Sequence, residues 1–389
     1  MNAITLTGLT IWNGHEIVAA DAIRIEGENI AAVGDGESLQ RNSTRISCDG
    51  ATAIPGLIDA HVHLELNPEH TVAPAHTDMD QGPQMAERAA AMVRSGITTA
   101  RDLGGGAWLE LALRDRINAG ELPGPRLICS GQPITSLRGH CHFWGGEAAN
   151  LEEARTVLQR QVDHGVDLIK VMASGGRMTR GSDPSKAQFD LETLSAIVAE
   201  ANSHGLPVAA HCHGTQGIEV AARAGVSTIE HCSWVGKEGW ASDYQAPIAK
   251  LILEQGIWVS PTVNKGWQRM LDSKNSSVLD RVRKAYVKML ELGIPFVAST
   301  DAGIPGIFHH ELPLALKVFS QIAQLSPEET LRCATSNAAR ALGLDGRTGA
   351  LLPGFAADIV LVDGNPLTDL AALTSPVGVW TRGRNVLAP

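Results

Sequence analysis

The chain has 389 residues, 44% of them hydrophobic and 19% charged, a balance that supports a packed core and excludes extended disorder. That length exceeds one ordinary core but fits a barrel of about 250 residues with a smaller unit attached. A formal net charge of −10, with no basic run, argues against a nucleic-acid or anionic-membrane surface.

The opening residues, Met1-Asn2-Ala3-Ile4-Thr5-Leu6-Thr7, lack a charged segment followed by a long apolar one, so no secretory signal is expected. Nowhere do 18 apolar residues run together, so no membrane span is expected. Cys48, Cys129, Cys141, Cys212, Cys232 and Cys333 form no C-x-x-C pair and read as reduced, mostly buried thiols of a cytoplasmic protein. Residues 1–53 look like short strands and turns: Ile4-Thr5-Leu6-Thr7 alternates, Ala22-Ile23-Arg24-Ile25 and Ile30-Ala31-Ala32-Val33 follow, and Asn13-Gly14 and Gly34-Asp35-Gly36 are turn signals. The same style returns after residue 344, with a strong strand in Ala357-Asp358-Ile359-Val360-Leu361-Val362 and a weaker one in Val377-Gly378-Val379-Trp380. One small β-sandwich domain built from residues 1–53 plus 345–389 is therefore expected.

Between these ends, apolar runs recur near 54–61, 97–102, 126–130, 167–173, 207–211, 226–231, 256–260 and 294–301, with helical patterns between them. Leu191, Leu194, Ile197, Val198 and Ala201 lie on one face at the 3.6 period. Ser326-Pro327-Glu328-Glu329 is a capping box with proline at the first helical position. The expected fold is α/β, a (β/α)8 TIM barrel over residues 54–344. A doubly wound sheet is the competitor, but no G-x-G-x-x-G follows the first run.

In such a barrel, chemistry sits at the C-terminal strand ends. The first run ends in His61 and His63, which point to the same side and can face one cation. The fourth carries Lys170, the fifth ends in His211, the sixth in Glu230-His231 and the eighth in Asp301. Singly, each has a plain explanation: a structural or exposed histidine, or an aspartate capping the next helix. Glu230 and His231 are neighbours on a strand and should face opposite sides, so only one is expected to point inward. Lysine inside an apolar strand is unusual unless paired. Together they read as a metal site.

These residues stand in stretches that resemble the amidohydrolase superfamily, in its branch of prolidase-like and imidazolonepropionase-like metal-dependent hydrolases. The stretches are Pro55-Gly56-Leu57-Ile58-Asp59-Ala60-His61-Val62-His63, Gly96-Ile97-Thr98-Thr99-Ala100-Arg101-Asp102-Leu103-Gly104-Gly105, Ile169-Lys170-Val171-Met172-Ala173-Ser174-Gly175-Gly176, Ala210-His211-Cys212-His213-Gly214, Ile229-Glu230-His231, Ser299-Thr300-Asp301-Ala302-Gly303 and Pro353-Gly354-Phe355-Ala356-Ala357-Asp358-Ile359-Val360. The resemblance implies two divalent ions, usually zinc. His61, His63 and Asp301 would hold one, His211 and His231 the other, and a carboxylated Lys170 would bridge them. It also implies a shared hydroxide attacking a carbonyl, with Asp301 as proton shuttle and His140 contacting substrate or polarising the carbonyl. His142 and His213 are further substrate-binding or ligand-supporting candidates. Arg177 and Arg180 could clamp a substrate carboxylate. Phe143 and Trp144 could line a pocket or form the local core of their loop, and His309 and His310 are expected in solvent or behind the ligands.

The expected function is hydrolysis of a C–N bond in an amide or peptide-like small molecule, with a dipeptidase or N-acyl amino acid hydrolase favoured. Alternatives are a cyclic amidase, an aryl amide, urea or carbamate hydrolase, or a mononuclear deaminase. Deaminases of this superfamily typically carry a glutamate where this chain has Gly214. A metal-free scaffold protein is disfavoured because all six ligand positions are filled. The expected assembly is a homo-oligomer with neither nucleic-acid nor membrane partners.

Overall fold

Gly56 divides what the sequence presents as one strand. Ala51–Pro55 pairs antiparallel with Ile359–Asp363, whereas the next strand pairs parallel with 97–102. The switch is made by successive amides: Gly56 N donates to Asp358 O and Leu57 N to Gly96 O, both at 2.9 Å. A Cβ on Gly56 would lie 2.8 Å from the Thr98 Cβ and closer still to its hydroxyl, so only glycine fits where the chain passes between sheets.

The computed structural model describes residues 3–72, 74, 80–273 and 276–387. The central strands are β1 (Leu57–Val62), β2 (Ile97–Asp102), β3 (Arg126–Cys129), β4 (Ile169–Met172), β5 (Val208–Gly214), β6 (Thr228–Val235) and β7 (Trp258–Ser260). They form two parallel sheets, β1-β2-β3 and β4-β5-β6-β7. Hydrogen bonds continue across both gaps. Asp167 N donates to Cys129 O at 2.8 Å, and Ile134 bridges to Val171 in β4. On the other side Val259 N donates to Pro295 O, Val297 N to Val259 O, and Ala60 N of β1 to Ala298 O. The eighth run, 294–301, is thus an irregular segment joined to β7 by a single bridge at Phe296, not the regular strand its composition suggests.

Helices alternate with the strands, as parallel connections require. Leu191–Ser203 is capped by Asp190, which accepts from Thr193 N, and buries Leu194, Ile197, Val198 and Ala201. Pro327–Cys333 starts at the expected capping box on Ser326 and Glu329. Asp35, read above as part of a turn, instead caps the short helix Gly36–Leu39. Among the described residues no helix is long and apolar enough to cross a membrane. All six cysteines are free, and five of them are buried.

The chain ends meet in two further sheets. Ala3–Thr7 lies between Ala22–Glu26 and Ser43–Ser47, while Ile359–Asp363 lies between Ala51–Pro55 and Pro376–Thr381. Leu6, Ile23, Ile25, Ala53, Ile359, Leu361 and Trp380 share a buried cluster distinct from the large one under the central strands.

Candidate metal centre

The imidazoles converge at one end of the central strands. His61 Nε2 lies 3.3 Å from His63 Nε2 and 3.3 Å from Asp301 Oδ1, and His63 Nε2 lies 3.4 Å from the same oxygen. A second group comprises His211, His213 and His231, whose rings are 4.4–4.5 Å apart. Within each group the potential ligand atoms all lie within 4.8 Å of one another. The rings of His61 and His231, 5.2 Å apart, connect the two groups. Lys170 is 1% exposed. Its ammonium meets no carboxylate within 4 Å and no hydrogen-bond acceptor among the described residues.

His61, His63, His211 and His231 each have one nitrogen committed behind the ring. His63 Nδ1 faces Gly104 O and His211 Nε2 faces Gly175 O, both at 3.2 Å. A carbonyl only accepts, so those nitrogens carry the proton. His61 Nδ1 donates to Glu230 Oε2 at 3.0 Å. His231 Nδ1 lies 2.7 Å from Thr262 Oγ1, whose own proton goes to Pro261 O, so the imidazole donates there too. In every case the remaining nitrogen presents its lone pair toward the centre. This arrangement orients imidazoles for a cation.

Electrostatics agree. Burial, then the Lys170 charge, pulls the pKa of His61 down to about 4. Burial likewise lowers His211 and His231, so these imidazoles are neutral at pH 7. Burial lowers Lys170 to about 8, opposed by the Glu230 and Asp301 charges. Burial would raise Asp301, but His61, His63 and Lys170 overcome it and hold the carboxyl below its usual range. A donor set of buried imidazoles and one ionised aspartate suits a divalent cation.

Strain collects here. Asp301, His231, Cys232 and Thr262 have φ of 60°, 66°, 47° and 52°, a region costly for side chains and most so for β-branched threonine. Those angles explain a departure from the sequence reading. Glu230 and His231 do not face opposite sides; the left-handed turn at His231 swings both toward His61.

A cavity of about 560 Å³ opens over the centre and is lined by all six expected ligands and by His140, Arg177, Arg180 and His213. His142 does not line it; its Nδ1 turns to Gly139 O. His140 is buried, with Nδ1 3.2 Å from Thr179 Oγ1. The same hydroxyl oxygen accepts from Cys141 N at 2.8 Å. Trp144 lies behind His63, 5.0 Å ring to ring, in a core with Leu66, Cys141 and Met172. His309 is buried and donates through Nε2 to His63 O, while His310 is exposed.

Four supporting residues escaped the sequence reading. Arg101 crosses beneath the centre, donating to Ala60 O, Thr228 Oγ1 and Glu230 Oε1. Asp59 accepts from His61 N, Thr300 N and Thr300 Oγ1. Thr262 holds His231, and Trp240 lines the cavity. Asp59 and Arg101 gave the same signal as Lys170, a charged residue inside an apolar strand.

The sequence pattern of the amidohydrolase family matches residues 52–386. The chain belongs to that family. This amidohydrolase is a hydrolytic enzyme acting on carbon–nitrogen bonds. It is similar to the ochratoxinase of Aspergillus niger, with 29% identity over 99% of this chain and 87% of that protein. A crystal structure of A. niger ochratoxinase superposes with a TM-score of 0.84 and 26% identity, covering 100% of this chain and 96% of the other. A Xaa-Pro dipeptidase with bound methionine shares the fold, with a TM-score of 0.88 and 24% identity, over 98% of this chain and 99% of that one.

Proposed function

We propose that this amidohydrolase holds two divalent ions, zinc by preference, and hydrolyses the amide bond of a small peptide-like molecule. His61, His63 and Asp301 would hold one ion and His211 and His231 the other, and the Lys170 amine, adding carbon dioxide and losing a proton, would supply a carbamate as a further ligand. The observation that carries the reading is the shared orientation of four imidazoles: each has one N–H satisfied behind it and one lone pair turned to a common centre. The buried Lys170 supports the bridge, because carbamate formation needs a neutral amine and burial raises the neutral fraction by lowering the pKa to about 8. The hydrogen bonds joining both central sheets through 294–301 support an eight-stranded barrel over 54–344. The separate apolar cluster supports a small β domain built from 1–53 and 345–389.

Bound ions supply Lewis acidity and make water ionisable near neutral pH. The protein does the rest. Asp301 takes a proton from the attacking water and returns it to the leaving nitrogen, so that water and amide give acid and amine. His140, anchored through Nδ1 to Thr179, contacts the substrate carbonyl from the cavity wall. His213 has Nδ1 2.9 Å from Ser233 Oγ and lines the cavity, with its other nitrogen left for substrate.

The test is a panel of dipeptides, N-acyl amino acids and aryl carbamates assayed with chelated and zinc-reloaded protein. The reading predicts about two ions per chain and amide hydrolysis that chelation abolishes. One ion per chain with turnover of ring amidines only would replace it with deamination. Asp301→Asn should retain at least one ion and lose about 10²–10⁴-fold in kcat; near-native kcat would remove the shuttle role.

A further inference from the structure

We propose that a second cavity, at the starts of β3 and β4, binds a small phosphate monoester, and that Arg126, Arg347 and Arg382 receive its doubly charged head. This crevice measures about 540 Å³. It lies where Glu28, Arg347 and Arg382, from the two ends of the chain, meet the first residues of β3 and the turn before β4. Arg126 opens β3 and Asp167 precedes β4, whereas the imidazoles converge at the other ends of the strands. The crevice shares no lining residue with the cavity over the metal centre, so its occupant is not the substrate.

The chain carries a net charge of −10, yet here the balance is reversed. Asp115 and Asp167 are both taken by Arg114, and Asp358 by Arg126. Arg347 and Arg382 have no ion-pair partner among the described residues. Nor has Arg384, which lines an adjoining crevice that shares Glu28, Asn118 and Arg382. In that crevice Glu121 is taken by Arg116. Glu28 is then the carboxylate left against three arginines, so two positive charges remain in excess.

Arg126 is the buried anchor. It is 5% exposed and makes one hydrogen bond among the described residues, from Nη2 to Asp358 Oδ2 at 3.3 Å, while its Nε has no partner. The Asp358 carboxylate is already shared with Thr348 Oγ1 and the Arg382 amide. A guanidinium has five N–H donors, and leaving them unmet in a buried place is costly. Arg382 is held beside it, donating to Asn118 Oδ1 at 3.1 Å and Ile117 O at 3.2 Å, which fixes the guanidinium without neutralising it. Burial first, then the Arg126 charge, lowers the Arg382 pKa against the opposing charges of Asp358 and Glu28. Two surplus charges match a phosphate dianion, whose oxygens accept forked N–H pairs from arginine. The crevice is larger than phosphate alone fills, and Leu127 and Ile128 offer an apolar wall to an organic substituent. Such a ligand ties both chain ends to the central strands, so it acts on stability rather than on turnover.

The test is calorimetric titration of the zinc-loaded protein with phenyl phosphate, with inorganic phosphate and benzyl alcohol as controls. Phosphate oxygens also bind zinc, so each titration is repeated after chelation. Wild type should bind one phenyl phosphate per chain in a step that survives chelation, bind inorganic phosphate more weakly and ignore benzyl alcohol. Arg382→Met should weaken that step by about ten- to a hundredfold, and Arg347→Met/Arg382→Met should abolish it. Phenyl phosphate should raise the thermal midpoint of wild type and leave that of the double variant unmoved. Arg126→Met strips buried Asp358 of its partner and endangers the fold, so the two more accessible arginines carry the test, with circular dichroism to show that the variants are folded. Binding that chelation removes entirely, or a chelation-resistant step unchanged in the double variant, overturns the proposal. Inorganic phosphate bound as tightly as phenyl phosphate overturns the monoester assignment.

Discussion

Lys170 has no stabilising partner of its own. A buried ammonium that meets no acceptor directly is costly, and burial lowers its pKa to about 8 against the opposing charges of Glu230 and Asp301. The proposed carbamate converts that liability into a bridging anion. Lys170→Ala should therefore bind fewer than two ions, and short carboxylic acids should partly restore both ion content and turnover by occupying the vacated space. Full ion content in Lys170→Ala would show that the lysine is not the bridge. Glu230 acts at one remove. Arg101 and His61 hold its carboxylate well below the usual range against the opposing effect of burial, and it fixes which His61 nitrogen is protonated. Glu230→Gln should weaken ion binding by about 10- to 100-fold, read as lost zinc under a graded chelator, with an unchanged circular dichroism spectrum. Unaltered zinc retention would reduce Glu230 to a packing residue. The convergence of His61, His63, His211 and His231 was legible in the sequence because all four stand at strand ends. Glu230's part was not, because the alternation rule assumes a regular strand and the left-handed backbone at His231 breaks it.

Element boundaries show where pattern reading runs out. Amphipathic helices such as Leu191–Ser203 and capped starts such as Ser326 follow from local chemistry and were legible. The division at Gly56 and the irregular segment 294–301 depend on partners distant in sequence, Thr98 and Asp358 for one, Val259 and Ala60 for the other. The helix Leu109–Asn118 carries a further test in its first turn. Glu110 is fully buried, and neither of its oxygens has a hydrogen-bond partner among the described residues. Burial first, then the Asp102 charge, raises its pKa from 4.5 to about 8. Between those values the folded protein keeps a proton that the unfolded chain releases, so Glu110 makes stability fall as pH rises across that window. Glu110→Gln should flatten the slope and stabilise the protein at pH 8, by up to a few kcal/mol at about 1.4 kcal/mol per unit. Parallel pH profiles of urea midpoints for wild type and variant would contradict this.

At the scale of the molecule, residues separated by up to 241 positions meet because the strand ends share one side. Asp59 and Thr300 are in direct contact, and His61 touches both Glu230 and Asp301. The central claim is that this convergence holds a pair of ions. A zinc-edge anomalous difference map of crystals grown with zinc tests it most directly. The account predicts two peaks about 3.5–4 Å apart, one against His61, His63 and Asp301 and one against His211 and His231, with density extending from Lys170 Nζ to both. A single peak, or two peaks with Lys170 turned away from them, would contradict it.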